Sequence, residues 1–237
     1  MRLWDQRIAK FSRMSDPNPA DPAPEARLSG PLDLRAWFGD IDVYLFDQLL
    51  KGRLKPPMRM LDAGCGTGRN LPYFFRSGFD VHACDADDDA LDHVREMSAT
   101  LVPLGFPSLP PDHFRVEKLE AMTWPADHFE LVVCNAVLHF AEDEDHFQRM
   151  LDGLWRVTAK GGLLFIRLSS TIGIESRVTR LESGKYRMPT GGEWFLVNEA
   201  KLHLAAQRLG AEQAEPLRSV NVQGLRCMTT WILRKRL

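Results

Sequence analysis

Short, nearly continuous apolar runs alternate along this chain with longer stretches whose apolar side chains return at helical spacing. The runs fall at 58–62, 79–84, 113–118, 129–135 and 163–168, and each reads as a strand. The run at 129–135 is apolar at almost every position, as a parallel strand covered on both faces requires. Helices are predicted between them, near 70–76, 87–101 and 143–159. Pro72 suits the first turn of the first helix, which Ser77 and Gly78 end. Asp87, Asp88 and Asp89 sit at the positive end of the second. In the third, Phe147, Met150, Leu151 and Leu154 make one face, and Gly161-Gly162 is expected to stop it. A further helix at 198–209 is capped by Asn198 and stopped by Gly210. Two more strands, 211–220 and 226–235, are expected around a turn from Asn221 to Gly224.

The front of the chain follows a different pattern. Residues 1–14 form a short amphipathic helix on this reading, with Leu3, Trp4, Ile8 and Phe11 near one face. The proline-rich stretch 15–31 reads as a linker. Helical spacing returns over 32–54 through Trp37, Ile41, Tyr44, Leu45, Gln48 and Leu49, and closes at Gly52 and Pro56-Pro57. The stretch 103–112 is a proline-rich loop, and 169–193 reads as irregular and polar.

Strand–helix alternation ending in a strand pair predicts an α/β fold. Its doubly wound, mostly parallel, Rossmann-like sheet carries a C-terminal antiparallel pair. The expected division is a main domain over 58–237 and an N-terminal helical segment over 1–57 that serves as a lid. Such sheets bind ligands outside the carboxyl ends of their strands. Asp62, Asp85, Asn135 and Arg167 all fall at or near those ends.

Composition narrows the partners. With 237 residues, 44% hydrophobic and 26% charged, the chain is an ordinary globular one with material for a sizeable core. A net charge of −2 gives no field that would recruit nucleic acid or an anionic membrane. The basic end at Arg234, Lys235 and Arg236 reads as a solvated strand terminus. No apolar run is long enough to span a bilayer, and the first residues lack the apolar core of a signal peptide. Cys65, Cys84, Cys134 and Cys227 form no C-x-x-C pair, which favours reduced thiols and a cytoplasmic location and argues against a metal site built on them.

Chemistry concentrates where the first run ends. Asp62 is followed by Gly64, Gly66 and Gly68 and then by a helix start at Asn70. A strand, a glycine turn and a helix bring backbone N–H groups up to a ligand. A dinucleotide fingerprint would need glycine at 69, where Arg69 stands, and a phosphate loop would need Gly-Lys-Ser/Thr. The pattern Asp-x-Gly-x-Gly-x-Gly, with the second strand ending in Asp85, resembles class I S-adenosylmethionine-dependent methyltransferases. The resemblance implies that Asp62, Gly64, Cys65, Gly66, Gly68 and Asn70 wrap the methionine part of S-adenosyl-L-methionine. It implies that Asp85, with Ala86 beside it, holds the ribose, and that Leu119 and Glu120 meet the adenine. There the chain departs from the family pattern, since the acid follows Lys118-Leu119 instead of preceding a small residue. Asn135 ends the fourth strand and completes the implied cofactor set.

Cys134-Asn-Ala-Val-Leu-His-Phe140 lacks the Asn/Asp-Pro-Pro-Tyr/Phe of enzymes that methylate base amino groups and the Pro-Cys of cytosine C5 enzymes. Its Val-Leu-His-Phe form is similar to small-molecule methyltransferases. Over residues 58–235 the chain looks like their tellurite-resistance type. The acceptor is accordingly expected to be a small molecule. His139 and Tyr44 are the catalytic candidates, His139 as a general base, although a lone histidine after an apolar run also fits a structural role. The segments 32–50 and 169–195 offer Trp37, Phe38, Asp42, Tyr44, Arg167, Tyr186 and Trp194 for an acceptor pocket, or for packing. Two alternatives stay open. One is methylation of a macromolecule such as tRNA or protein, and the other is a non-catalytic cofactor-binding protein.

Overall fold

In the computed structural model, which describes residues 33–237, the apolar runs become β1 (Arg59–Ala63), β2 (Asp80–Asp85), β3 (Phe114–Val116), β4 (Phe129–Asn135) and β5 (Thr158–Ser169). They pair in parallel in the order β3-β2-β1-β4-β5. The chain then makes a small antiparallel sheet of β6 (Thr179–Arg180), β7 (Tyr186–Arg187) and β8 (Glu193–Trp194). It returns to the main sheet as β9 (Glu212–Gln213), β10 (Arg218–Val222) and β11 (Arg226–Arg234). β11 lies antiparallel to β5 and to both β9 and β10, so the sheet is doubly wound and mostly parallel with an antiparallel end. The helix predicted at 1–14 and the linker at 15–31 lie outside the described residues.

Six α-helices accompany the strands among the described residues: α1 (Leu34–Phe38), α2 (Val43–Leu50), α3 (Pro72–Arg76), α4 (Asp88–Leu101), α5 (Glu144–Val157) and α6 (Glu199–Leu209). The longer ones start on side-chain caps. Asp87 accepts from Asp89 N–H, Asp143 from His146 N–H and Asn198 from Lys201 N–H, each satisfying a donor that the first turn leaves free. Strand alternation splits the core in two. Val132 and Cys134 of β4 face Phe147, Leu151 and Leu154 of α5, whereas Leu131 and Val133 face the cluster holding Leu45, Phe74, Leu91 and Val94. Phe147, Leu151 and Leu154 are fully buried, each contributing about 1.5–3 kcal/mol by leaving water. No helix among the described residues is long and apolar enough to cross a membrane.

Three local readings change. Gly161-Gly162 does not end a helix: α5 stops at Val157, and both glycines lie inside β5. They sit where the pairing of β4 and β5 shifts register between Phe129 and Leu131. A Cβ on Gly162 would come within 2.8 Å of the Ala159 carbonyl and 3.0 Å of the Glu130 carbonyl, so only glycine fits this irregularity. The helical stretch 32–54 is two helices, because Gly39 turns the chain at φ 63° against Pro72, and Asp42 caps the second. The segment 169–193 is not irregular throughout; its short strands close over Ile174, Met188, Leu196 and Cys227.

Candidate functional site

β1 and β4 are neighbours in the sheet, yet the chain leaves them in opposite directions, toward β2 and toward β5. This is the switch point, and a crevice opens beyond the strand ends there. The glycine turn after β1 is held by the next strand. Gly64 and Cys65 N–H both donate to the Cys84 carbonyl, at 2.8 and 3.0 Å. Gly66 N–H donates to Asp85 Oδ2 at 2.8 Å, and Asp87 N–H donates to Asp85 Oδ1 at 3.1 Å. The three glycines serve different ends. A Cβ on Gly64 would lie 2.5 Å from Val137 Cγ2, and one on Gly68 would lie 2.9 Å from Val94 Cγ2. A Cβ on Gly66, at φ 51°, would meet nothing within 4 Å. Gly64 and Gly68 therefore let protein pack against protein, while Gly66 borders open space.

Buried polar atoms without partners cluster at the same end of the sheet. Both carboxylate oxygens of Asp62 lack a hydrogen-bond partner, as do both side-chain atoms of Asn135, Nδ1 of His139 and Nε of Arg167. Each such group costs about 1–3 kcal/mol unless something outside the chain satisfies it. Burial pushes the Asp62 carboxyl up to about 7; the Arg69 guanidinium opposes the shift and the Asp85 charge adds to it. The Asn70 side chain, whose Oδ1 accepts from Asp42 N–H at 2.9 Å, turns its amide toward Asp62 and also opposes the shift. Cys65, Cys84 and Cys134 are buried thiols whose pKa values burial raises, so none offers a thiolate. Ala136, directly after β4, holds a left-handed φ of 66°, a conformation that a non-glycine residue keeps only when its surroundings impose it.

A cleft of 210 Å³ runs along this edge, lined among others by Gly64, Asp85, Ala86, Leu119 and Glu120. All five were candidates from the sequence, and the fold brings them together. Val137 and Phe140, the ends of the Val-Leu-His-Phe stretch, line the cleft as well, as do His146 and Met150, and none of the four was named as a site residue. His146 stands in the first turn of α5, its Nδ1 accepting Glu142 N–H at 3.1 Å and its Nε2 lying 3.5 Å from Glu120 Oε1. Phe140 is 62% exposed, a large aromatic left open at the cleft wall. The sequence carried it only as the last residue of Val-Leu-His-Phe, and its exposure at the cleft is what the structure adds.

Tyr44 and His139 stand apart from this cleft. Tyr44 lies under two guanidinium groups, those of Arg167 at 5.6 Å and Arg218 at 5.8 Å. Arg167 also donates through Nη1 to Asp42 Oδ2, and Arg69 Nη2 is 3.8 Å from the same oxygen. Asp42, wholly buried in its side chain, thus ties the start of α2 to β5 and to the loop after β1. His139 is stacked on Trp194 with ring centroids 4.8 Å apart. Burial lowers its pKa to about 4, so it is neutral at physiological pH.

Residues 61–166 match the family model described as "Methyltransferase domain". The malonyl-[acyl-carrier protein] O-methyltransferase of Halorhodospira halophila (strain DSM 244 / SL1) is 31% identical over 203 residues, 72% of this chain. The chain spans 64% of that relative's length. Among solved structures, the fold is similar to the 1,6-didemethyltoxoflavin-N1-methyltransferase of Burkholderia thailandensis. That enzyme carries bound 1,6-didemethyltoxoflavin and S-adenosylhomocysteine; the TM-score is 0.59 at 17% identity, over 81% of this chain and 76% of that one. It is also similar to magnesium protoporphyrin IX methyltransferase of Synechocystis PCC 6803 with bound SAM, with TM-score 0.59 and 14% identity over 81% and 77% of the two chains.

Proposed function

The chain carries a class I S-adenosylmethionine-dependent methyltransferase domain, and from that premise we propose that it transfers a methyl group to a small-molecule acceptor. The observation that carries the reading is the glycine turn. Its Gly66 borders open space, and the unpartnered Asp62 and Asn135 lie at the strand ends beside it.

The residues fit the cofactor. On this reading Asp62 meets its ammonium group, whose positive charge would draw the carboxyl back to its ionised form. Asp85 has acceptor capacity beyond its two backbone donors and takes the ribose hydroxyls. Leu119 and Glu120 border the base, with Phe140 and Met150 supplying apolar walls. Gly64, Cys65, Gly68, Asn70, Ala86 and Asn135 complete the set, Gly64 and Gly68 by shaping the turn and Asn70 by anchoring Asp42. When bound, S-adenosylmethionine supplies a methyl group already activated by its sulfonium charge. The protein has to align the acceptor and exclude water, and no covalent catalysis is required. A histidine with a pKa near 4 takes a proton only from an acidic acceptor. An acceptor that arrives as an anion needs no base, and the stacked pair of His139 and Trp194 then serves packing.

The names of the two solved relatives support a small acceptor. The relative from Halorhodospira halophila favours a second reading, in which the acceptor is an acyl group held on a carrier protein. Release of S-adenosylhomocysteine with a panel of free acids, phenols and amines tests the first. A parallel panel of the same acids as acyl-carrier thioesters tests the second. Cofactor binding without turnover on either panel would leave the non-catalytic alternative.

A further inference from the structure

The opposite end of β2 brings together three side chains that the cofactor crevice does not use. Asp80 opens the strand and His82 follows two positions on, so alternation sets both side chains on one face. His113 arrives from the short turn before β3, whose Phe114 pairs with Ala83. His82 Nε2 lies 3.3 Å from Asp80 Oδ1, and His113 Nδ1 lies 3.6 Å from the same oxygen. One donor atom from each of the three lies within 4.8 Å of the others. The two imidazoles are stacked, 3.7 Å between centroids. His82 is wedged edge-on against Trp124 and Phe129. Its Nδ1 is buried without a hydrogen-bond partner. The His82 and His113 side chains are 9% and 16% exposed, whereas that of Asp80 is 39% exposed, so water reaches the carboxylate while packing holds the rings. His128, 6.2 Å from His82 between centroids, turns its Nδ1 toward Arg59 and is not part of the group.

We propose that Asp80, His82 and His113 bind a divalent transition-metal ion of the zinc class. Two imidazoles and one carboxylate suit Zn²⁺, Co²⁺ or Ni²⁺, whereas Mg²⁺ and Ca²⁺ take oxygen donors. Bonds of about 2.0–2.2 Å to a tetrahedral ion set its donors roughly 3.3 Å apart. The His82–Asp80 separation is already close to that, whereas His113 Nδ1 donates to the Val81 carbonyl at 3.0 Å, so binding requires that this ring leave the carbonyl and lose its Nδ1 proton as the stacked rings tilt toward the ion. Three protein donors leave the fourth position to water, which arrives past Asp80. Five residue steps along β2 separate Asp80 from Asp85, about 17 Å, so the ion takes no part in the crevice. Its effect is to clamp His113, and the proline-rich loop before it, onto the start of β2.

The approach of His82 to Asp80 and the hydrogen bond of His113 Nδ1 to the Val81 carbonyl would hold the same arrangement without an ion, and metal titration separates the two. The tag-free full-length chain is titrated with Co²⁺ while its visible absorption is followed. The expected result is saturable uptake of one ion per chain. Asp80→Asn and His113→Ala should each weaken it at least tenfold with far-ultraviolet circular dichroism unchanged. Retained S-adenosylhomocysteine affinity in both variants shows in addition that the metal site is separate from the crevice. No saturable uptake by the unmodified chain, or uptake that either folded variant retains, overturns the proposal. Displacement of Co²⁺ by Mg²⁺ at comparable concentration overturns the assigned class of ion.

Discussion

Replacing Asp62 by Asn separates the stability of this fold from its proposed function. The carboxyl is wholly buried, without a hydrogen-bond partner, and its pKa is raised from 3.8 to about 7, chiefly by loss of water. A raised carboxyl pKa means that the folded chain holds a proton that the unfolded chain has released. Stability is therefore greatest below pH ~4, falls as pH rises toward the folded value near 7, and has lost its whole increment by about pH 8. Three pH units at 1.36 kcal/mol each set the ceiling at about 4 kcal/mol. Asn is nearly the same shape and cannot ionise. At pH 8 the variant should be more stable than the unmodified chain by up to about 4 kcal/mol, worth up to about 8–16 °C in midpoint for a chain this size. At about pH 4 the difference should vanish. The same change removes the charge proposed to meet the ammonium group of the cofactor. Affinity for S-adenosylhomocysteine should fall by about 1.5–3 kcal/mol, roughly 10–150-fold. Thermal melts at pH 4 to 8, with calorimetric titration, read both effects. A variant no more stable at pH 8 than the unmodified chain would refute the burial account of Asp62; unchanged affinity would refute its role at the cofactor.

Three further outcomes follow from the geometry. Gly66→Ala should cost only the backbone strain of a left-handed residue, about 1–2 kcal/mol, yet weaken S-adenosylhomocysteine binding more than tenfold, whereas Gly64→Ala, whose Cβ meets Val137 at 2.5 Å, should lose stability first; urea melts and titration calorimetry on the pair check the contrast. Asp42→Ala removes the cap of α2 and leaves Arg167 beside a missing partner, and should cost about 2–4 kcal/mol in urea unfolding. If the segment 32–50 serves as a lid, bound S-adenosylhomocysteine should protect it from limited proteolysis; cleavage unchanged by ligand would assign Trp37 and Tyr44 to packing alone.

The sequence made the parallel strands and the glycine turn readable because each depends on local signals: unbroken apolar runs, a first-turn proline, acids at a helix start. Leu119 and Glu120 were found by position after the third strand, and the cleft contains both. What stayed hidden depends on distant partners. Asp42 reaches Arg167 across 125 positions, and nothing around either residue announces the other. Glu215 interrupts the expected strand at 211–220 because its buried carboxylate collects Lys51 and Arg53 from beyond α2. The strands β6 to β8 are two residues each, too short for any period to register. Gly161 and Gly162 carry the ordinary signature of a helix stop, and here the demand of strand packing at Glu130 and Ala159 prevails.

Titration of S-adenosylhomocysteine into the unmodified chain and into Asp85→Ala tests the central claim most directly, because Asp85 both fixes Gly66 N–H and faces the cleft. One site per chain is expected, weakened by about 1.5–3 kcal/mol, at least tenfold, in the variant. Absence of saturable heat with the unmodified chain, or equal affinity in a folded Asp85→Ala, would contradict it.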